Sequence, residues 1–275
     1  MQAAPTIELL FPGVSDEPAE ILIAQLSLLG YDSFWESEEG LRAYIAQAAY
    51  DEAAVSEIAL SMGVTFQLQA ASVAEWTPAQ DDIHAPIWLA HGRVYIYSEG
   101  QPLAPEAEFA LHVDRKLSFG SGHHPSTAMC VEWMLDQPWH DEPVVDAGTG
   151  SGILALLVER LTTGPVYAFD NNPWAIEVAE HNAACNQSRV QWAVADPFTY
   201  SFEKPFPRVL ANLNADVFRS SMAPLATLVA PKGQIILSGY TEENREEVDG
   251  LAQSQGLLKV EERQSAEWLA SVWTR

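Results

Sequence analysis

The stretch VVDAGTGSGILAL, residues 144–156, constrains the fold more than any other part of the chain. An apolar strand runs into Asp146, Gly148, Gly150 and Gly152, and a helix starts near Ile153. The glycines permit a tight turn and let the backbone approach a ligand closely. Downstream, strand-like and helix-like segments alternate: VYAFD, PWAIEVAEHNAACN, VQWAVAD, RVLANL, VFRSSMAPLATLV and QIILSGY. Such alternation requires a parallel sheet with helices on both faces. The rhythm breaks at the end, where the helix EENREEVDGLAQSQG is followed by two strands, LLKVEER and EWLASVWTR.

The beginning of the chain has a different order. Residues 5–11 alternate as a strand, and DEPAEILIAQLSLLG has an acidic first turn, helical apolar spacing and a terminal glycine. DSFWESEEGLRAYI predicts a hairpin turning near Gly40, DEAAVSEIALSMG a helix ending at Gly63, and VTFQLQAAS a further strand. This βαββαβ order fits a small split-βαβ, ferredoxin-like domain over residues 1–70. It is too small to hold a cofactor and a substrate easily, so recognition of a partner is its expected job. Residues 71–90, with two prolines and mixed polarity, read as a linker. Residues 91–275 form the second domain, opening with the strands RVYIYS and AEFALHVD and then LSFGSGHHPSTAMC, where a glycine-rich stretch with two histidines leads into the helix STAMCVEWML.

Composition narrows the function. Thirty-eight acidic residues against fourteen basic ones leave a net charge of −24 over 275 residues, which disfavours direct nucleic-acid binding. The acidic residues are spread along the chain, as on a halophile's surface, and they also suit a basic protein substrate. No apolar run is long enough to span a bilayer and the N-terminus lacks the pattern of a signal peptide. Cys130 and Cys185 give no disulfide framework, so a reducing cytoplasm is expected, as is a monomer.

Three acids stand at three successive strand ends. Asp146 lies two residues before the first glycine, where a carboxylate disfavours a pyrophosphate and suits the ammonium of a methionine-type cofactor. Asp170 ends the next strand, where a carboxylate can accept hydrogen bonds from two ribose hydroxyls, a device that dehydrogenases share. Asp196 ends the third, at the adenine position of class I methyltransferases, whose antiparallel edge addition the terminal strand pair also resembles. Each acid alone is more often a cap or turn residue; together they point to S-adenosylmethionine.

FGSGHHPST, VVDAGTGSGILAL, ANLNADV and ILSGY resemble, in order and spacing, the motifs of the ribosomal protein L11 methyltransferase (PrmA) family. The resemblance covers about residues 107–275, and the N-terminal domain agrees with the family's recognition domain. It implies a seven-stranded class I methyltransferase (Rossmann-like) domain preceded by a small α+β ferredoxin-like domain. It also implies S-adenosylmethionine as cofactor and methylation of lysine side chains and an α-amine of ribosomal protein L11. By position it makes Thr127 a cofactor-contacting residue, with Phe119 and Gly120 in the same motif; Gly148 lies under the methionine part, with Gly150 and Gly152 beside it. Asp170 becomes the ribose-binding acid and Asn212 the residue beside the transferred methyl.

No cluster of metal-ligand spacing accompanies His123 and His124, so no metal is expected; a loop folding over the cofactor explains the glycines better. Ser126 and Thr127 are candidate caps of the following helix, and His124 is assigned to packing or loop ordering. The chain departs from the family at Gln80 and His84, which replace aromatic residues between Trp76 and Pro86, and at Asn214 and Tyr240, usually apolar positions near the expected acceptor pocket. These changes keep other readings open: a methyltransferase of another protein or a small-molecule amine, or a non-catalytic, ribosome-associated cofactor-binding module. A dehydrogenase is disfavoured by Asp146 and the terminal hairpin.

Overall fold

The structure, a computed structural model, describes residues 6–14, 18–19, 22–23, 25–26, 29, 31, 33–37, 39–46, 49–70, 86–113, 124–196 and 202–275. The chain divides into two compact units, Met1–Gln80 and Asp81–Arg275.

In the first unit β1 (Thr6–Pro12), β2 (Ser33–Ser37), β3 (Gly40–Ala46) and β4 (Gln67–Ala70) form an antiparallel sheet in the order β2-β3-β1-β4. This is the split-βαβ arrangement expected from the sequence. Residues 18–19, 22–23 and 25–26 are helical, and Ala19, Leu22 and Leu26 pack with Leu9 and Phe11 of β1. Helix α1 (Glu52–Met62) begins where the Asp51 carboxylate accepts from the amides of Ala53 and Ala54. It stops at Gly63, whose φ of 67° closes a left-handed cap.

The second unit is built on seven strands: β8 (Val144–Ala147), β9 (Val166–Asp170), β10 (Gln191–Val194), β11 (Phe206–Asn212), β12 (Val229–Thr241), β13 (Leu258–Ser265) and β14 (Trp268–Thr274). Their order is β10-β9-β8-β11-β12-β14-β13, parallel from β10 to β12, with β14 inserted antiparallel between β12 and β13. This is the expected Rossmann-like sheet with an antiparallel edge pair. Helices α2 (Pro125–Asp136), α3 (Ile153–Leu161), α4 (Pro173–Asn186), α5 (Ala215–Leu228) and α6 (Arg245–Ser254) cover it. Strand alternation sorts the core into two layers. Val144, Leu210, Ile236 and Val272 pack with α2 and α3, while Val145, Val209, Ile235 and Trp273 pack with α5 and α6.

Beside the α2–α3 layer lies a small sheet of β5 (Ile87–Leu89), β6 (Val94–Tyr97) and β7 (Phe109–His112). Residues 87–89 fall in the linker proposed from sequence; they form a strand because Ile87 and Leu89 pair with β6 and are buried in that layer. Asn186 at the end of α4 anchors this sheet, donating to the His112 carbonyl at 2.6 Å and accepting from its amide at 3.0 Å.

Candidate active site

β8 ends in the glycine turn. The amides of Gly148 and Thr149 donate to the Phe169 carbonyl at 2.9 and 3.1 Å, folding the turn against the neighbouring strand. Gly148 takes φ 74°, a backbone strained for any larger residue, and a Cβ there would stand 2.2 Å from a methyl of Leu213, which would have to move. The Gly150 amide donates to Asp170 Oδ2 at 3.0 Å, and Gly152 stands at the N-cap of α3.

Asp170, the last residue of β9, is also held from the other side, its Oδ1 accepting from the Asn172 amide at 3.0 Å. Each oxygen thus has one fixed backbone donor and spare acceptor capacity, and the two together suit a vicinal diol. Asp196 lies two residues beyond β10, next to the Ala195 amide that donates to the Asp170 carbonyl at 2.8 Å.

Asp146 is 1% exposed. Its Oδ2 accepts from the Thr149 hydroxyl at 2.6 Å. Burial pushes its carboxyl up to about 7, against the opposing hydrogen bonds from Thr149 and the Ala155 amide; the nearby Asp170 charge adds to the rise. The structure therefore puts Asp146 beneath the turn, as its brace.

On the other side of the central crevice, Asn212 ends β11 and its Nδ2 donates to Thr127 Oγ1 at 3.3 Å. Thr127 is buried in the first turn of α2, and the Ser238 hydroxyl of β12, which donates to the Leu269 carbonyl at 2.9 Å, lies 3.5 Å from the Ser126 carbonyl. The start of α2 is thus tied to both β11 and β12. The sequence reading made Ser126 and Thr127 caps of this helix. The structure corrects it: His124 is the N-cap, its Nδ1 accepting from the Ser126 amide at 3.3 Å, with Pro125 at the first helical position. Burial lowers the His124 pKa, against the opposing Glu267 charge, which favours the neutral ring that can accept. Asn214 caps α5, accepting from the Val217 amide at 2.9 Å.

Phe119 and Gly120, with the rest of 114–123 including His123, lie outside the described residues, as do Trp76, Gln80 and His84. Among the described residues no group of three or more His, Cys, Asp or Glu could hold a metal ion, and no helix is long and apolar enough to cross a membrane.

Gly239, within the ILSGY motif, and Trp268 are two neighbours of these residues not assigned to the site from the sequence. Gly239 takes φ 92° at a register shift between Ser238 and Tyr240 of β12. A Cβ there would lie 2.6 Å from the Leu213 carbonyl oxygen and 2.9 Å from Asn212 Oδ1. Trp268, first residue of β14, meets the His124 ring edge-on at 4.2 Å. Both line a cavity of about 280 Å³ with Asn214, Asp216, Tyr240 and Thr241. Tyr240 is buried, with its hydroxyl donating to Ser271 Oγ at 2.7 Å, and burial raises its pKa.

The family model for "Ribosomal protein L11 methyltransferase (PrmA)" matches residues 18–275, nearly the whole chain. The chain belongs to this family. Curated relatives of that name include one from Bacteroides thetaiotaomicron, 27% identical over 262 residues, covering 93% of both chains. Another, from Phocaeicola vulgatus, is 25% identical over 258 residues, covering 91% of this chain and 92% of its own. A third, from Burkholderia pseudomallei, is 31% identical over 196 residues, 71% of this chain and 64% of its own. In fold, the chain is similar to the crystal structure of a ribosomal protein L11 methylase from Lactobacillus delbrueckii subsp. bulgaricus. The TM-score is 0.60 at 23% identity, covering 69% of this chain and 98% of that one. The PrmA match begins well upstream of the glycine turn, so it takes in both compact units.

Proposed function

We propose that this PrmA-family chain is an S-adenosylmethionine-dependent protein N-methyltransferase that methylates ribosomal protein L11 on lysine side chains and an α-amine. When bound, S-adenosylmethionine supplies an electrophilic methyl group on a sulfonium. The residues present fit it: Asp170 offers a doubly fixed carboxylate for the ribose diol, and the turn at Gly148 presents backbone close to the crevice. Asp196, Phe119 and Gly120 complete the cofactor set by motif position.

The observation that carries the reading is the Asn212–Thr127 hydrogen bond. With Nδ2 spent on Thr127, Asn212 Oδ1 is the acceptor left to an incoming amine. A neutral amine donating one N–H to that oxygen has its lone pair oriented, and orientation supplies most of the rate gain that a site without acid–base chemistry can offer. The N-terminal unit serves as the recognition domain: all the site residues assigned here lie after residue 118, and it exposes Leu60 and Leu68 to a partner. The two free cysteines fit a reducing cytoplasm.

The test is incubation with labelled S-adenosylmethionine and purified ribosomal protein L11, followed by mass spectrometry. Asn212→Ala should lower kcat by about a hundredfold at unchanged thermal stability, the scale for lost orientation at a reacting centre. A fall in stability with an unchanged rate per folded molecule would make Asn212 structural. The polar residues Asn214 and Tyr240 in the cavity favour a second reading, an amine of another protein, which the same assay detects with that protein as acceptor.

A further inference from the structure

The small sheet of β5, β6 and β7 turns one face inward and keeps an aromatic face outside. Ile87, Leu89, Val94, Ile96 and Leu111 are buried in the α2–α3 layer. Strand alternation sends their neighbours the other way, and these are Trp88, Tyr95, Tyr97 and His112. The four rings form one row: Trp88 to Tyr95 at 4.7 Å, Tyr95 to Tyr97 at 5.6 Å, and Tyr97 to His112 at 5.2 Å. An outward sheet face ordinarily carries polar side chains, so an aromatic row there is the observation to explain.

The row is ordered and open at one end. Tyr95 is 2% exposed, and its hydroxyl donates to the Pro102 carbonyl at 2.7 Å. Trp88 packs on it yet is 41% exposed, and Leu103, next to Pro102, is exposed as well. An indole fixed from one side with its other surface in water loses little freedom when a ligand covers it.

The surroundings are acidic. Between residues 86 and 113 the chain carries Glu99, Glu106 and Glu108 against one strong base, Arg93. Arg93 is spent on Glu108, its Nε donating to Oε2 at 2.7 Å and its Nη2 to Oε1 at 3.2 Å. Burial raises the Tyr95 pKa and the Glu106 charge adds to the rise, which puts that carboxylate beside the row.

We infer that this face docks an extended, arginine-bearing segment of a protein partner, with a guanidinium on the Trp88 indole and Glu106 as its counter-charge. A guanidinium stacks on an aromatic face and pairs with a carboxylate at the same time. The net charge of −24 steers a basic segment toward the surface. A nucleobase also stacks on aromatic rings, but its phosphates would meet carboxylates here. A proline-rich segment would use the rings and leave the acids without a partner. Docking at this face needs no methyl transfer, so its test uses no turnover.

The experiment titrates the full chain with hexaarginine and follows two NMR signals, the Trp88 indole N–H and the amide of Ala110, which lies opposite Tyr95 in the same face. The Trp88 signal is assigned by its loss in Trp88→Phe. About 0.5 M salt screens the attraction of the remaining surface charge. Hexaarginine should shift both signals. Trp88→Ala should weaken binding read at Ala110 on the order of fivefold, the scale of one exposed cation–π contact, and Trp88→Phe by less. Glu106→Gln should weaken it about two- to threefold, the scale of an exposed ion pair. Trp174→Ala removes another exposed indole, on α4, and should bind as the wild type does. A Trp88 signal that does not move overturns the inference, and so does equal affinity in Trp88→Ala and the wild type. Hexaproline or an oligouridylate that shifts the signal where hexaarginine does not overturns it as well. Should Trp88→Ala fail to fold, Glu106→Gln decides by the Trp88 signal itself.

Discussion

Gly239→Ala tests whether the bulge in β12 serves the site. At φ 92° an L-residue is strained, a cost of about 1–2 kcal/mol. The new Cβ would also stand 2.6 Å from the Leu213 carbonyl oxygen and 2.9 Å from Asn212 Oδ1. Restoring ordinary contact requires displacements of roughly 0.5–1 Å in the two groups, and a shift of about 1 Å at a reacting centre costs on the order of a hundredfold in rate. Total destabilisation should be about 1–3 kcal/mol, with Tm moving about 2–4 °C per kcal/mol at this chain length. The assay pairs thermal unfolding with kcat for labelled methyl transfer, measured well below the transition. The expected result is a modest Tm loss with kcat down between about ten- and a hundredfold. S-adenosylhomocysteine affinity should fall by less than kcat, because Asp170 lies on another strand and only the Leu213 side chain reaches the glycine turn. A variant with wild-type kcat, or one whose lost rate is fully explained by its unfolded fraction, would refute the reasoning.

Asp170→Ala should weaken cofactor binding by about 1–3 kcal/mol, the scale of charge-assisted hydrogen bonds, and calorimetry returning the wild-type affinity removes Asp170 from the site. Asp146 should make stability depend on pH. Its carboxyl titrates near 3.8 when unfolded and about 7 when folded, so the folded chain holds a proton that the unfolded chain has lost. That contribution is complete below about 3.8 and disappears as pH rises through about 7. Asp146→Asn should flatten this part of the Tm–pH profile, and an identical slope in both proteins rules the assignment out. Removing residues 1–80 should leave S-adenosylhomocysteine binding measurable while abolishing methylation of ribosomal protein L11; full methylation by the folded truncation contradicts the recognition role.

Local chemistry was readable from the sequence where it acts alone. Helix α3 follows its glycine turn because six successive residues, Ile153–Val158, are all buried, and α1 is bounded by an aspartate and a glycine that cap it by themselves. The reading failed where distant neighbours decide. Three residues of β5 look like linker after Pro86, and only pairing with β6 makes them a strand. Serine and threonine are stronger caps than histidine by propensity, yet Pro125 claims the first helical position and leaves His124, at ψ 136°, as the cap. Gly239 is marked only as part of the ILSGY motif, and Trp268 carries no local signal. Their meaning comes from Leu213 and His124, which the fold brings to them from other elements.

The topology explains why these contacts converge. β8 and β11 are adjacent parallel strands, but α3 after β8 packs into one layer and α5 after β11 into the other. Between them the carboxyl edge opens into a crevice, as it does at the switch point of doubly wound sheets. The residues proposed for the cofactor, Gly148, Gly150, Asp170 and Asp196, come from the β8–β10 side, and those proposed for the acceptor, Asn212 and Gly239, from the β11–β12 side. The β8–β11 pairing joins the two halves, and beyond the strand ends Leu213 stands against Gly148. The start of α2 ties the β11, β12 and β14 side together, since Thr127, Ser126 and His124 meet Asn212, Ser238 and Trp268 in turn. Because Thr127 holds Asn212, the start of α2 bears on the residue proposed to orient the amine, and Thr127→Val should lower kcat for methyl transfer more than it lowers S-adenosylhomocysteine affinity; an equal loss in both would refute this.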